Sequence, residues 1–137
     1  MPITPLAQLK RSVRDALAYL KTQPDITEGE VFASANGNLT VRLNYTSRIP
    51  SNGVEEPKSL ESSGLGIRVA LSTPQGTKTG FGSEPTDLSV EGVKRALEKA
   101  RKGAVLDTEY VSLPKPSGQG PALGKYHDPA IMRISDN

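Results

Sequence analysis

Ser63-Gly64-Leu65-Gly66-Ile67-Arg68-Val69-Ala70-Leu71-Ser72, the turn Thr73-Pro74-Gln75-Gly76, and Thr77-Lys78-Thr79-Gly80-Phe81-Gly82 form the stretch on which the fold depends. Leu65, Ile67, Val69 and Leu71 alternate with Gly66, Arg68, Ala70 and Ser72, the period of a strand with one buried face. Pro74 and Gly76 stand where a type I turn prefers them, so Thr77, Thr79 and Phe81 are expected to return as the partner strand. Ser59 to Ser63 extend the first strand upstream. Gly64 and Gly66 suggest a bulge or a close backbone approach.

Working outward, a second alternation lies upstream. Val31 to Ala35 is a short apolar run followed by Asn36-Gly37, a pair suited to a tight hairpin turn. Leu39, Val41, Leu43 and Tyr45 then alternate with Thr40, Arg42, Asn44 and Thr46, predicting a strand covered on one side only. Arg48 to Pro57, with Pro50 and Asn52-Gly53, reads as a loop. Helices flank these two hairpins. The first is expected to start at Thr4 as N-cap with Pro5 behind it. Its apolar face is Leu6, Leu9, Val13, Ala16, Leu17 and Leu20, and Pro24 ends it. The second starts at Ser89, buries Val90, Val93, Ala96, Leu97 and Ala100, and stops at Gly103 behind Lys99, Arg101 and Lys102. The expected class is α+β: an antiparallel sheet of about four strands, two helices on one face, order α-β-β-β-β-α. Thr40, Arg42, Asn44 and Arg68 should give the other sheet face a polar character. Residues 1–112 form this domain, and 113–137 read as a Pro/Gly-rich linker and the beginning of a segment leading to a further C-terminal part.

Composition excludes more chemistry than it offers. A chain of 137 residues can bury roughly two-thirds of its surface around one core. There is no cysteine, so no disulfide, thiol nucleophile or thiolate metal site can be built. The single histidine, His127, rules out a two-histidine metal site within the chain, and its neighbour Asp128 is poorly placed to orient it as a general base. Gly64-Leu65-Gly66 and Gly80-Phe81-Gly82 do not continue into a dinucleotide fingerprint, and no phosphate-loop motif occurs. Close backbone packing accounts better for these glycines. Lys94, Arg95, Lys99, Arg101 and Lys102 crowd the second helix, but Glu91 and Glu98 interrupt them. With a net charge of +2 and no tryptophan, a nucleic-acid surface is not favoured. Asn38 and Asn44 head glycosylation-type triplets without a secretory signal, and Pro114-Lys115-Pro116 is too short for a proline-module ligand. Glu55, Glu56 and Glu61 imply no cleft. No apolar run is long enough for a membrane span, and the chain is expected to be cytoplasmic.

The segment from Gly64 to Gly103 resembles a known family. Ser63-Gly64-Leu65-Gly66-Ile67-Arg68-Val69, Gly80-Phe81-Gly82-Ser83, and Asp87-Leu88-Ser89 opening an alanine-rich helix are similar to the N-terminal domain of the TldD/PmbA family, also described as modulators of DNA gyrase. Tyr126-His127-Asp128-Pro129 is similar to the segment leading into the rest of the family chain, so the resemblance runs from about Leu6 to Ile134. The chain departs from the family in its long Arg48–Pro57 loop, in Ser63 where a basic residue is common, and in Gly82 where alanine is common.

The resemblance implies a set of expectations. Family members include zinc-dependent peptidases whose H-E-x-x-x-H motif lies in a later domain, and that motif does not occur here. No catalytic, cofactor or metal residue transfers; zinc is expected only in the catalytic domain of a parent or partner. Gly64, Leu65, Gly66, Arg68, Gly80 and Phe81 are carried over as structural signature residues. The implied role is non-catalytic: subunit assembly and enclosure of a peptide chamber. Its partners would be the remaining parent domains and a homologous or identical subunit, with peptide substrates engaged indirectly and no membrane. The alternative reading is a stand-alone binding module, nucleic-acid or gyrase related.

Overall fold

The computed structural model describes residues 4–45, 48, 53–54, 57–115, 118 and 128–131. Its elements are α1 (Leu6–Lys21), β1 (Ile26–Thr40), β2 (Leu43–Asn44), β3 (Gly53–Val54), β4 (Lys58–Thr73), β5 (Gly76–Pro85), α2 (Val90–Lys102) and β6 (Val105–Leu106). β1, β4, β5 and β6 make an antiparallel sheet in that order, and β2 pairs with β3 as a separate small ladder. This is the α+β architecture that the two alternating runs and two amphipathic helices specify. β4 is its middle, flanked along most of its length by β1 and β5.

Period two sends β4 residues to opposite faces. Leu65, Ile67, Val69 and Leu71 are buried, and they meet Ala16 and Leu20 of α1 and Val93, Ala96, Leu97 and Ala100 of α2. The core is therefore aliphatic and lies between one sheet face and both helices. α2 sits closest on β5. A β-carbon at Gly80 would lie 2.2 Å from the carbonyl oxygen of Ala100, and one at Gly82 would lie 1.9 Å from that of Ala96. Two residues along a strand and four along a helix both advance about 6–7 Å, so the glycine pair and the alanine pair stay in step.

Local signals explain the ends. The Ser89 hydroxyl accepts from the Gly92 N–H at 3.5 Å, Glu91 occupies the first turn, and Lys99, Arg101 and Lys102 occupy the last. Gly103 closes α2 with φ of −90°, so its use here is not a left-handed one. Arg101 grips Asp25 through two hydrogen bonds of 2.9 and 2.6 Å, tying the end of α2 to the connection between α1 and β1. That guanidinium also holds the Asp25 carboxyl below its ordinary range. Thr73 and Gly76 close the β4–β5 turn, with Gly76 at φ of +122°, where a side chain would be strained.

Several expectations are corrected. Asn36-Gly37 is not a turn: it lies inside β1, paired with Ser62 and Glu61. The long run of β4 supplies a continuous partner, and fourteen residues of β1 find one there, which outweighs the local turn preference of one dipeptide. Leu39 to Tyr45 is therefore not a separate covered strand. β1 stops at Thr40, only Leu43–Asn44 pairs again, and Val41, Leu43 and Tyr45 are exposed. Pro5, not Thr4, is the N-cap of α1; its carbonyl accepts from Gln8 and Leu9, while Thr4 donates its N–H to Glu61 at 2.9 Å. Leu6 is exposed, and α1 is buried chiefly through Ser12, Ala16 and Leu20. No register shift interrupts β4 at Gly64 or Gly66, so close approach, not a bulge, explains both. β6 adds a short edge strand beside β5 that no alternation in the sequence announces. Leu113, placed at the start of a linker by composition, is buried.

Candidate functional site

The sheet face turned away from the helices can be read in rows across β1, β4 and β5. Glu28, Ala70 and Thr79 form one row; Glu30, Arg68 and Phe81 the next; then Phe32, Gly66 and Ser83; then Ser34, Gly64 and Pro85. Phe32 and Phe81 thus stand diagonally across Gly66. A β-carbon there would come within 3.3 Å of the Phe81 ring, so the glycine lets that ring lie down on the sheet. A shallow groove of about 390 Å³ runs beside them, floored by Gly64 and Gly66 and closed by Pro85. Both phenylalanines of the chain are here, 70% and 64% exposed. Large apolar rings on an open face mark contact surfaces more often than chance.

Arg68 sits next to Phe81 and pairs with Glu30 at 2.7 Å, fixing its guanidinium along the row. The next row is occupied from outside the sheet. Tyr110 Oη donates to Glu28 Oε2 at 3.0 Å, and the Leu113 N–H donates to the same oxygen at 2.6 Å. Burial and the adjacent carboxylate raise the Tyr110 phenol above its ordinary range, so it stays a donor. Ala70 is fully buried although its row faces away from the helices. Residues 107–113 therefore carry the chain from β6 to the outer face.

The second exposed feature is a ribbon. β5 ends opposite Gly64, whereas β1 and β4 remain paired for six further residues each, to Thr40 and Lys58. Beyond them, Leu43 and Asn44 pair with Val54 and Gly53. Leu43 and Tyr45 are 74% and 80% exposed, and Leu60 and Val54 are exposed as well. An isolated two-stranded ribbon is marginal in water. This one gains little cover from its own domain.

The signature residues divide between the two faces. Leu65 is core and Gly80 lies under α2, while Gly64, Gly66, Arg68 and Phe81 come together on the outer face. Val31 to Ala35, taken as one apolar run, hides Phe32. Counting it by twos sends Val31, Ala33 and Ala35 inward and Phe32 and Ser34 outward. The five cations of α2 are each engaged: Lys94 with Glu91, Arg95 with Glu84 and Asp87, Lys99 with Glu84, Arg101 with Asp25 and Lys102 with Glu98. Among the described residues no three His, Cys, Asp or Glu side chains converge on a possible metal position. No helix among them is long and apolar enough to cross a membrane. His127, Glu55 and Glu56 lie outside the described residues; Glu61 is in β4, bonded to Thr4.

Fold and surface together define a two-layer α+β domain, closed by aliphatic packing on one side and open through aromatic rings on the other. Residues 48–104 match the family model described as PmbA/TldA metallopeptidase domain 1. That stretch, which runs through β3, β4, β5 and α2, is similar to the first domain of the TldD/PmbA family; α1, β1 and β2 lie upstream of the match. Comparison with curated proteins and with solved structures gives no match.

Proposed function

We propose that this chain is the non-catalytic first domain of a TldD/PmbA-type metallopeptidase, and that it serves subunit assembly and enclosure of a peptide chamber. The observation that carries this reading is the outer face: Phe32 and Phe81 stay exposed over a glycine floor while the core is complete without them. A face of that kind is suited to burial against another folded surface. The described residues hold no donor set for zinc, and no chemical step through a metal is assigned to them. Neutralisation of the α2 cations by nearby carboxylates weighs against a phosphate-binding role for that helix.

Deleting residues 1–112 from the protein that carries this domain tests the reading, with oligomeric state and zinc-dependent peptide hydrolysis followed together. Assembly is expected to fail, and selection of peptides by length to relax. Unchanged assembly and unchanged selection would overturn it.

A further inference from the structure

Among the described residues Ser12 is the one buried polar side chain, with 8% of its surface exposed. Its hydroxyl has no hydrogen-bond partner among them. A hydroxyl kept from water without a partner is costly. No described side-chain oxygen is both sealed and unsatisfied, so the small opening at Ser12 reaches its oxygen. That opening is a cleft of about 740 Å³ between α1 and residues 86–89, which lead into α2. Sites for small ligands have this size.

Other groups on the α1 wall of the cleft share the lack of a partner. Pro5 caps α1 without a side chain, and its carbonyl accepts from the N–H groups of Gln8 and Leu9. The N–H groups of Leu6 and Ala7 are left open at the positive end of the helix, with no acidic residue in the first turn. Arg11 lines the cleft one turn on, and a helical side chain leans back over the turn before it. Asp15 follows after another turn. Neither Arg11 nor Asp15 has an ion-pair partner among the described residues. Along one wall the order is therefore anion receptor, hydroxyl, carboxylate. On the facing wall Asp87 is already held by Ser89 and Arg95, and Thr86 donates its N–H to the Ser63 carbonyl at 2.7 Å.

We propose that this cleft takes the C-terminal end of an extended peptide. Its carboxylate sits on the Leu6 and Ala7 N–H groups and on Arg11, whose planar fork suits it. Ser12 donates to a carbonyl of the peptide, and Asp15 accepts from a peptide N–H. From Leu6 to Asp15 the helix rises about 14 Å, the reach of about four extended residues. A single negative charge fits better than a phosphate dianion, because Asp15 and Asp87 both line the cleft and repel a second one. This site does not depend on the outer face or on what that face contacts.

Tetra-alanine as the free acid, titrated into the full 137-residue chain, should shift the backbone amide resonances of residues 6–15 and 86–89. Its C-terminal amide and plain acetate should each bind more weakly by roughly tenfold or more. The first lacks the charge, and the second lacks the N–H groups that Asp15 accepts. Arg11→Gln, at an exposed position, should weaken binding of the acid by about tenfold. Ser12→Ala should weaken it by about threefold and leave the urea midpoint unchanged or raised, since alanine suits a buried helical position and removes an unsatisfied group. The amide, acetate or inorganic phosphate binding as tightly as the free peptide overturns the assignment. So does equal affinity in Arg11→Gln, or no shift at roughly 10 mM peptide. A urea midpoint lowered by Ser12→Ala overturns it as well, because the hydroxyl would then serve the fold and not a ligand.

Discussion

At Gly82 a single methyl group would stand 1.9 Å from the carbonyl oxygen of Ala96, and that oxygen belongs to helix backbone. Nothing there can yield without moving α2 off the sheet. Gly66, on the neighbouring strand β4 and on the opposite face, meets only the edge of the Phe81 ring at 3.3 Å, and the ring has room to swing. The two glycines therefore predict different outcomes for the same change. Gly82→Ala should cost about 3 kcal/mol, the upper range for overpacking, while Gly66→Ala should stay within about 1 kcal/mol. Urea midpoints of the two variants against the parent chain decide this; equal losses would mean that α2 does not sit as close to β5 as described. At this scale the sequence was partly legible. Paired glycines inside a strand pattern announce close approach, but whether a helix or a ring approaches depends on the face, and the face follows from register with distant residues.

The loop into α2 shows what an element asks of its ends. Asp87 accepts hydrogen bonds from Ser89, through its hydroxyl and its N–H, and then from Arg95, and these hold its carboxyl down to about 2. A carboxyl depressed in the folded state contributes stability that is present above its unfolded value near 3.8 and is lost as pH falls through the folded one. The domain should thus lose stability between about pH 4 and pH 2, with Glu84 adding to the effect because Lys99 and Arg95 lower it too. Asp87→Asn should flatten that limb of the stability–pH curve, measured by thermal unfolding across acid pH. An unchanged limb would mean the cluster does not form. Caps and dipole charges of α2 could be read from Ser89, Glu91 and Gly103 because they act within a few residues. The length of β1 could not. Asn36-Gly37 is a strong local turn signal, and only pairing with Ser62 and Glu61, about twenty-five residues on, overrides it. The direction of Phe32 depends on the same pairing, which carries β1 through Phe32 to Thr40.

Taken whole, the molecule keeps its two sheet faces independent. The helix side is closed by aliphatic side chains and by glycines on which α2 rests directly. The outer side carries its rings on a surface that folding does not require. Replacing Phe32 and Phe81 together with serine should leave the urea midpoint within about 1 kcal/mol of the parent, since neither is in the core. The same double variant should lose association with the domains or subunit that the assembly reading supplies, scored by co-sedimentation. Collapse of stability would reassign the rings to the fold, and undiminished association would remove the outer face from the interface. The α+β class, the α2 packing stripe and the β4–β5 hairpin were readable because each rests on periodicity over neighbouring residues. The outer face was expected to be merely polar; its aromatic content emerges only once three strands are aligned.

Gly80, Phe81 and Gly82 are consecutive, yet the outer residue answers to constraints its neighbours never feel. Drift at Phe32, Phe81 or Ser34 leaves the scaffold intact, whereas drift at Gly80 or Gly82 has to be met by a shift of α2. A lineage built on this domain is free to exchange one neighbour for another by rewriting every second letter of three strands, and the body that presents them need not change at all.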